Sequence, residues 1–171
     1  TLREIERKWP IEEDVQVNIT MTAEMADCFK DRREGVRKIL SIIKRTLGYE
    51  KLKIYSTSGL KDLHITLKNY KEIASANWHA TADTLSKIER NCLLIDIGST
   101  TTDIIPIQLG KVQTPTSSTD FLRLQRGELV YLGVSRTSLS SIKRQLFFRS
   151  EITNVIRENF ASTADLFRLT K

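Results

Sequence analysis

The chain has 171 residues, 40% of them hydrophobic, and a formal net charge of +6 from 27 Lys and Arg against 21 Asp and Glu. That apolar content can fill the core of one domain of ordinary size, or of pieces of two, and no apolar run reaches the ~18 residues of a membrane-crossing helix. Cys28 and Cys92 each sit among apolar neighbours, which argues against a disulfide scaffold or a zinc site and for buried, reduced thiols in a cytoplasmic setting.

Residues 1–8 read as a charged amphipathic helix, not a secretory leader, and stop at Trp9-Pro10. Residues 15–20 alternate as a strand should. Thr22 can cap a helix, although the helix proper begins near Asp31, where Val36, Ile39, Leu40, Ile43 and Leu47 recur at helical spacing up to a Gly48 cap. The basic residues of this stretch, Arg32, Arg33, Arg37, Lys38, Lys44 and Arg45, alternate with apolar positions. That is the pattern of a solvated helix face and not of a nucleic-acid surface. Residues 53–56 and 64–66 read as short strands around a Ser58-Gly59 turn, and 71–88 as a helix interrupted near Asn77. Two β-branched runs follow, then a Gly110-Lys111 turn, a polar loop from Pro115 to Ser118 and a short helix capped by Thr119 or Asp120. Residues 128–134 read as a strand, Ser138 to about Phe148 as a helix, 152–156 as a strand and 162–169 as a closing helix. Strands and helices alternate, so the class is α/β, with a mixed sheet.

The stretch with the clearest chemistry runs from Leu93 to Ile107. An apolar run ends in Asp96; Gly98, Ser99, Thr100, Thr101 and Thr102 turn the corner; Asp103 opens a second apolar run. This is strand, turn, strand. Amides and hydroxyls of Ser99 to Thr102 can donate to phosphate oxygens, as a backbone nest does. Gly98 gives the backbone room to approach an anion. Carboxylates repel phosphate, so Asp96 and Asp103 make sense around a divalent cation such as Mg²⁺. The same residues also suit an ordinary hairpin turn. Neither a Gly-Lys-Ser/Thr P-loop nor a Gly-x-Gly dinucleotide fingerprint is present.

The pattern resembles the second phosphate loop of the actin, sugar-kinase and Hsp70 ATPase superfamily. Within it, the chain is similar to the hydantoinase/oxoprolinase-related proteins linked to tetrahydromethanopterin one-carbon metabolism, the group that contains the methanofuran-biosynthesis synthases. Four more stretches carry the likeness: Asn18 to Phe29, Ser75 to Ala82, Gly127 to Gly133 with Arg136-Thr137, and Glu158 to Asp165. The resemblance implies a ribonuclease-H-like (actin-like ATPase) lobe. Residues 1–171 would then form a single region, mostly the second lobe of a longer two-lobe protein whose first phosphate loop lies upstream.

The resemblance also implies an activity. A transferase would join an aminomethylfuran-methanol diphosphate to the phenol of γ-glutamyltyramine and release pyrophosphate. Asp96 and Asp103 would hold Mg²⁺. Gly98 to Thr102, with Arg123 or Arg136 as a diphosphate clamp, would hold the phosphates. Glu24 would take the phenol proton, with Asp96 as the second catalytic carboxylate. Thr22, Asn77 and Thr81 would face the substrate. From spacing alone, Glu24 and Asp27 share a face of any helical turn and serve either as a base or as acidic residues at a helix start. His79 is given no catalytic role. The expected partners are small molecules, with neither nucleic acid nor membrane, and self-association is left open. Two other functions compete: an ATP-dependent kinase or hydantoinase/oxoprolinase-like hydrolase, and a non-catalytic binding module.

Overall fold

The computed structural model describes residues 4, 7–8, 16–47, 52–63, 69–116, 119–159 and 161–170. Most of the expected first helix with its Trp9-Pro10 stop, the Gly48 cap, the strand expected at 64–66 and the end of the 115–118 loop lie outside them. The chain divides into two compact units, residues 1–88 with 115–117, and residues 89–114 with 118–171. Among the described residues no helix is long and apolar enough to cross a membrane.

The first unit is built on a three-stranded mixed sheet. Strand β1 (Val17–Ile19) pairs in parallel with β2 (Leu52–Ser56), which pairs in antiparallel with β3 (Gly59–Asp62). The parallel pair needs a crossover, and helix α1 (Arg32–Leu47) supplies it. The Asp31 carboxylate accepts from the Glu34 amide, and Glu34 reaches back to the amide of Lys30, which satisfies two donors that a helix start leaves open. The apolar positions read from the sequence face inward as expected. Val36 and Leu40 pack with Met21, Leu52, Ile54, Leu63, Ile73 and Ala74, flanked by Ile39, Ile43 and Leu47. Arg33, Arg37, Lys38, Lys44 and Arg45 are exposed. The interrupted helix is two helices, α2 (Tyr70–Ile73) and α3 (Asn77–Ser86), broken at Ser75, whose φ is +52°.

The second unit is organised by an antiparallel sheet. Strands β4 (Cys92–Ile97) and β5 (Thr102–Gln108) form the expected hairpin, with Asp96 opposite Asp103 and Ile97 opposite Thr102. Strand β6 (Lys111–Val112) continues the meander, and β7 (Leu129–Val130) pairs with the start of β5. The mixed sheet is therefore that of the first unit. Helix α4 (Asp120–Arg126) begins at Thr119, whose hydroxyl accepts from the Leu122 amide. It ends at Gly127, whose φ of +71° is a left-handed conformation that a side chain would strain.

The stretch expected to be helical from Ser138 to Phe148 is only partly so. Helix α5 (Leu139–Ile142) gives way to a hairpin of β8 (Gln145–Phe148) and β9 (Glu151–Asn154). The run Gln145 to Phe148 is compatible with either state by pattern, and pairing with Glu151 to Asn154 decides it. Helix α6 (Thr163–Leu169) closes the unit behind a capping box of Ser162 and Asp165. The cysteines depart from expectation: Cys28 is exposed and Cys92 half-buried, both as free thiols.

Candidate polyphosphate site

The Gly98 to Thr101 connection closes the β4–β5 hairpin, with the Gly98 amide donating to the Thr101 carbonyl at 2.8 Å. Ser99 and Thr100 stand exposed at the tip. The segment after β7 wraps this tip from one side. The Val134 amide donates to the Gly98 carbonyl at 3.1 Å, and the amides of Ser135 and Arg136 donate to the Ser99 carbonyl at 3.2 and 2.9 Å. A trans peptide points its N–H opposite to its C=O, and no peptide among the described residues is cis. With the Gly98 and Ser99 carbonyls turned into the 134–136 segment, the Ser99 and Thr100 amides face away from it. Two adjacent N–H groups on an exposed tip are a geometry that can accept an anion.

Gly133 makes this contact possible. A Cβ there would come within 2.5 Å of the Ser99 carbonyl and the Thr100 nitrogen. Gly98 is less demanding, since its Cβ would meet only the Thr101 oxygen, at 3.2 Å. The backbone at Gly133 thus packs directly against the turn.

Asp96 and Asp103 occupy one face of the hairpin as a directly opposed pair. Asp103 forms an ion pair with Arg123 at 2.6 Å, and the guanidinium also donates to the Glu128 carbonyl at 3.1 Å. Arg123 is only 1% exposed. Burial pushes the Asp103 carboxyl above its ordinary range; Arg123 pulls it back, and the charges of Asp96 and Asp120 push it further up. Asp103 and Arg123, expected at metal and phosphate respectively, meet each other. Asp96 makes no ion pair among the described residues. No group of three His, Cys, Asp or Glu side chains arranged to hold a metal occurs among them. The Thr102 hydroxyl donates to the Leu132 carbonyl at 2.6 Å and so ties β5 to the wrapping segment. Arg136 contributes its amide, while its side chain is exposed.

The remaining expected residues lie in the first unit. Glu24 and Asp27 share no face: Glu24 is fully buried and Asp27 exposed, because residues 22–30 form turns and not a helix. The Ser75 hydroxyl donates to Glu24 Oε1 at 2.5 Å, while Oε2 has no hydrogen-bond partner. Ser75 escapes a sequence reading because its backbone strain has no residue signature. Thr22 is exposed. Asn77 opens α3, and the Thr81 hydroxyl donates to its carbonyl at 3.2 Å, which makes that pair a local helix contact. His79 is buried, with Nδ1 2.8 Å from the Tyr55 hydroxyl and the ring edge-on to Trp78. Burial lowers the His79 pKa and pushes Tyr55 up to about 12.

The hydantoinase/oxoprolinase family model matches residues 16–158. A relative from Methanocaldococcus jannaschii is 38% identical over 151 residues, which cover 88% of this chain and 45% of the relative. One from Methanococcus vannielii is 49% identical over 79 residues, 46% of this chain and 35% of the relative. Both are named (4-{4-[2-(gamma-L-glutamylamino)ethyl]phenoxymethyl}furan-2-yl)methanamine synthase. The chain spans less than half the length of these relatives. With the family model covering most of its residues, the chain belongs to the hydantoinase/oxoprolinase family.

Proposed function

We propose that the β4–β5 turn holds the diphosphate of an activated furan-methanol in an ether-forming transferase of methanofuran-type cofactor biosynthesis. The product named for the relatives contains a phenoxymethyl link between a phenol and a furan. Forming it requires a phenol oxygen to bond to a furan methylene while that carbon loses a leaving group. With diphosphate as that group, the methylene C–O bond to diphosphate breaks as the bond between the methylene carbon and the phenol oxygen forms. Pyrophosphate then departs with the bonding pair, and the phenol proton passes to a base. The observation that carries the reading is the pair of Gly98 and Ser99 carbonyls held by the 134–136 amides, which turns the Ser99 and Thr100 amides the other way. Donors already oriented toward developing charge cost no reorganisation when the bond breaks.

Two residues ahead of the turn, Asp96 keeps a carboxylate that no Arg or Lys neutralises among the described residues. One carboxylate suits Mg²⁺, which takes the rest of its shell from water and phosphate. Such an ion, when bound, would neutralise the diphosphate and ease its departure. Asp103, engaged by Arg123, would support the site electrostatically. We also read the α/β arrangement as part of an actin-like lobe.

The test is isothermal titration of the chain with Mg²⁺ and pyrophosphate, separately and together, against ATP as competitor. Binding of pyrophosphate that needs Mg²⁺, disappears in Asp96→Ala and is indifferent to ATP supports the proposal. ATP binding, with ADP among the products of the longer protein, would replace it with the nucleotide-dependent reading.

A further inference from the structure

The 133–137 segment that orients the phosphate turn is itself held by two buried hydroxyls. Thr137 is 6% exposed and Thr163 8%. The Gly133 amide donates to Thr137 Oγ at 2.7 Å, and the Gly133 carbonyl accepts from Thr163 Oγ at 3.0 Å and from Thr137 Oγ at 3.2 Å. Both polar groups of Gly133 are thus fixed by side chains. The start of α6 adds to this. Its Thr163 amide donates to the Thr137 carbonyl at 2.9 Å, and its Ala164 amide to the Ser135 carbonyl at 3.4 Å. These amides are among those that a helix start leaves without an internal partner. Here they are spent on the segment that grips the turn.

We infer that Thr137 and Thr163 are positioning residues for the polyphosphate site. They hold Gly133 so that the Val134, Ser135 and Arg136 amides fix the direction of the Gly98 and Ser99 peptides. The inference rests on the polyphosphate reading and extends it to α6, which contacts the 133–137 segment. The geometry demands both hydroxyl and close packing. Valine in place of threonine keeps the shape, removes the hydrogen bond and leaves a buried Gly133 group short of a partner. Serine keeps the hydroxyl.

Two measurements test it on the full chain, with inorganic pyrophosphate and Mg²⁺ as the probe. Thr137→Val and Thr163→Val should each weaken pyrophosphate binding about tenfold and speed amide exchange at Val134 to Arg136. Thr163→Ser should restore both. Ser162→Ala, which weakens the α6 cap without touching Gly133, should lower stability and leave affinity within a factor of two or so. Wild-type affinity in both valine variants would overturn the inference. Should a valine variant not fold, the wild-type protein carries the test. Bound pyrophosphate should slow exchange at Ser99 and Thr100 and also at Val134 to Arg136, and slowing confined to the turn would overturn the inference. A wild-type chain that binds no pyrophosphate defeats the polyphosphate reading itself. That outcome is distinct from binding that is present but insensitive to the two threonines.

Discussion

Asp96 and Asp103 face each other across a strand pair, yet their surroundings differ. Arg123 is nearly sealed from solvent and needs its carboxylate partner, because a buried guanidinium without one keeps its charge and loses its water. Asp103→Asn should therefore cost about 3 kcal/mol in denaturant unfolding. Asp96→Asn removes one of two opposed like charges and should gain about 0.5 kcal/mol, while abolishing Mg²⁺-dependent pyrophosphate binding. A residue whose loss raises stability and removes function marks the site. Equal destabilisation by both variants would assign Asp96 a structural role. For Glu24, Gln retains the acceptor for Ser75 but puts a buried amide NH2 where Oε2 has no partner, so Glu24→Gln should lower stability in denaturant unfolding.

The Tyr55–His79 pair titrates in opposite directions for the same reason, since burial penalises both phenolate and imidazolium. Tyr55 should ionise near 12 in an absorbance titration. His79 should show an NMR midpoint below its ordinary 6.5. A histidine whose folded pKa is depressed binds fewer protons folded than unfolded. Stability is then complete above 6.5 and declines as pH falls from there toward the folded pKa.

At the scale of elements, the β4–β5 turn, the 133–137 segment and the start of α6 form one stack of backbone contacts. Gly133→Ala inserts a methyl group where the Ser99 carbonyl already sits. It should cost about 2 kcal/mol and displace the turn enough to lose pyrophosphate binding, read by calorimetry and by the Ser99 amide resonance. The α6 cap has its own pH signature. The Ser162 amide and hydroxyl both donate to Asp165 and hold its carboxyl below the ordinary 3.8. A depressed folded pKa stabilises above the unfolded value and is lost as pH falls through the folded one. The helix should keep its cap at neutral pH and fray only below 3.8, as followed by amide exchange of α6.

At the scale of the molecule, the two units bury their apolar surface unequally. The first has one contiguous cluster around α1 and β2. The second buries Ile105, Ile107 and Leu129, but leaves Leu93, Ile95 and Ile97 of β4 at 57%, 54% and 58% exposure. These three recur at a spacing of two and so share a sheet face opposite to Asp96. An apolar strip of this kind binds hydrophobic dyes. Replacing the three with Thr, which keeps strand propensity, should lower dye fluorescence. It should change stability by no more than about 0.5 kcal/mol per residue.

The apolar runs of β4 and β5, the period of α1 and the cap at Thr119 were legible in order, because each is a local rule acting over a few residues. So was the β4–β5 turn, whose glycine, hydroxyls and flanking carboxylates are contiguous. The β8–β9 hairpin was not, since Gln145 to Phe148 becomes a strand only when a second strand is present to pair with it. The resemblance implied an anion for Arg123, and only the fold shows that this anion is Asp103. The chain's order of residues determined that a tight hydroxyl-rich turn joins β4 and β5 and which residues compose it. Folding alone decided the direction of its peptides, because that depends on amides and hydroxyls more than thirty residues away meeting the turn through Gly133.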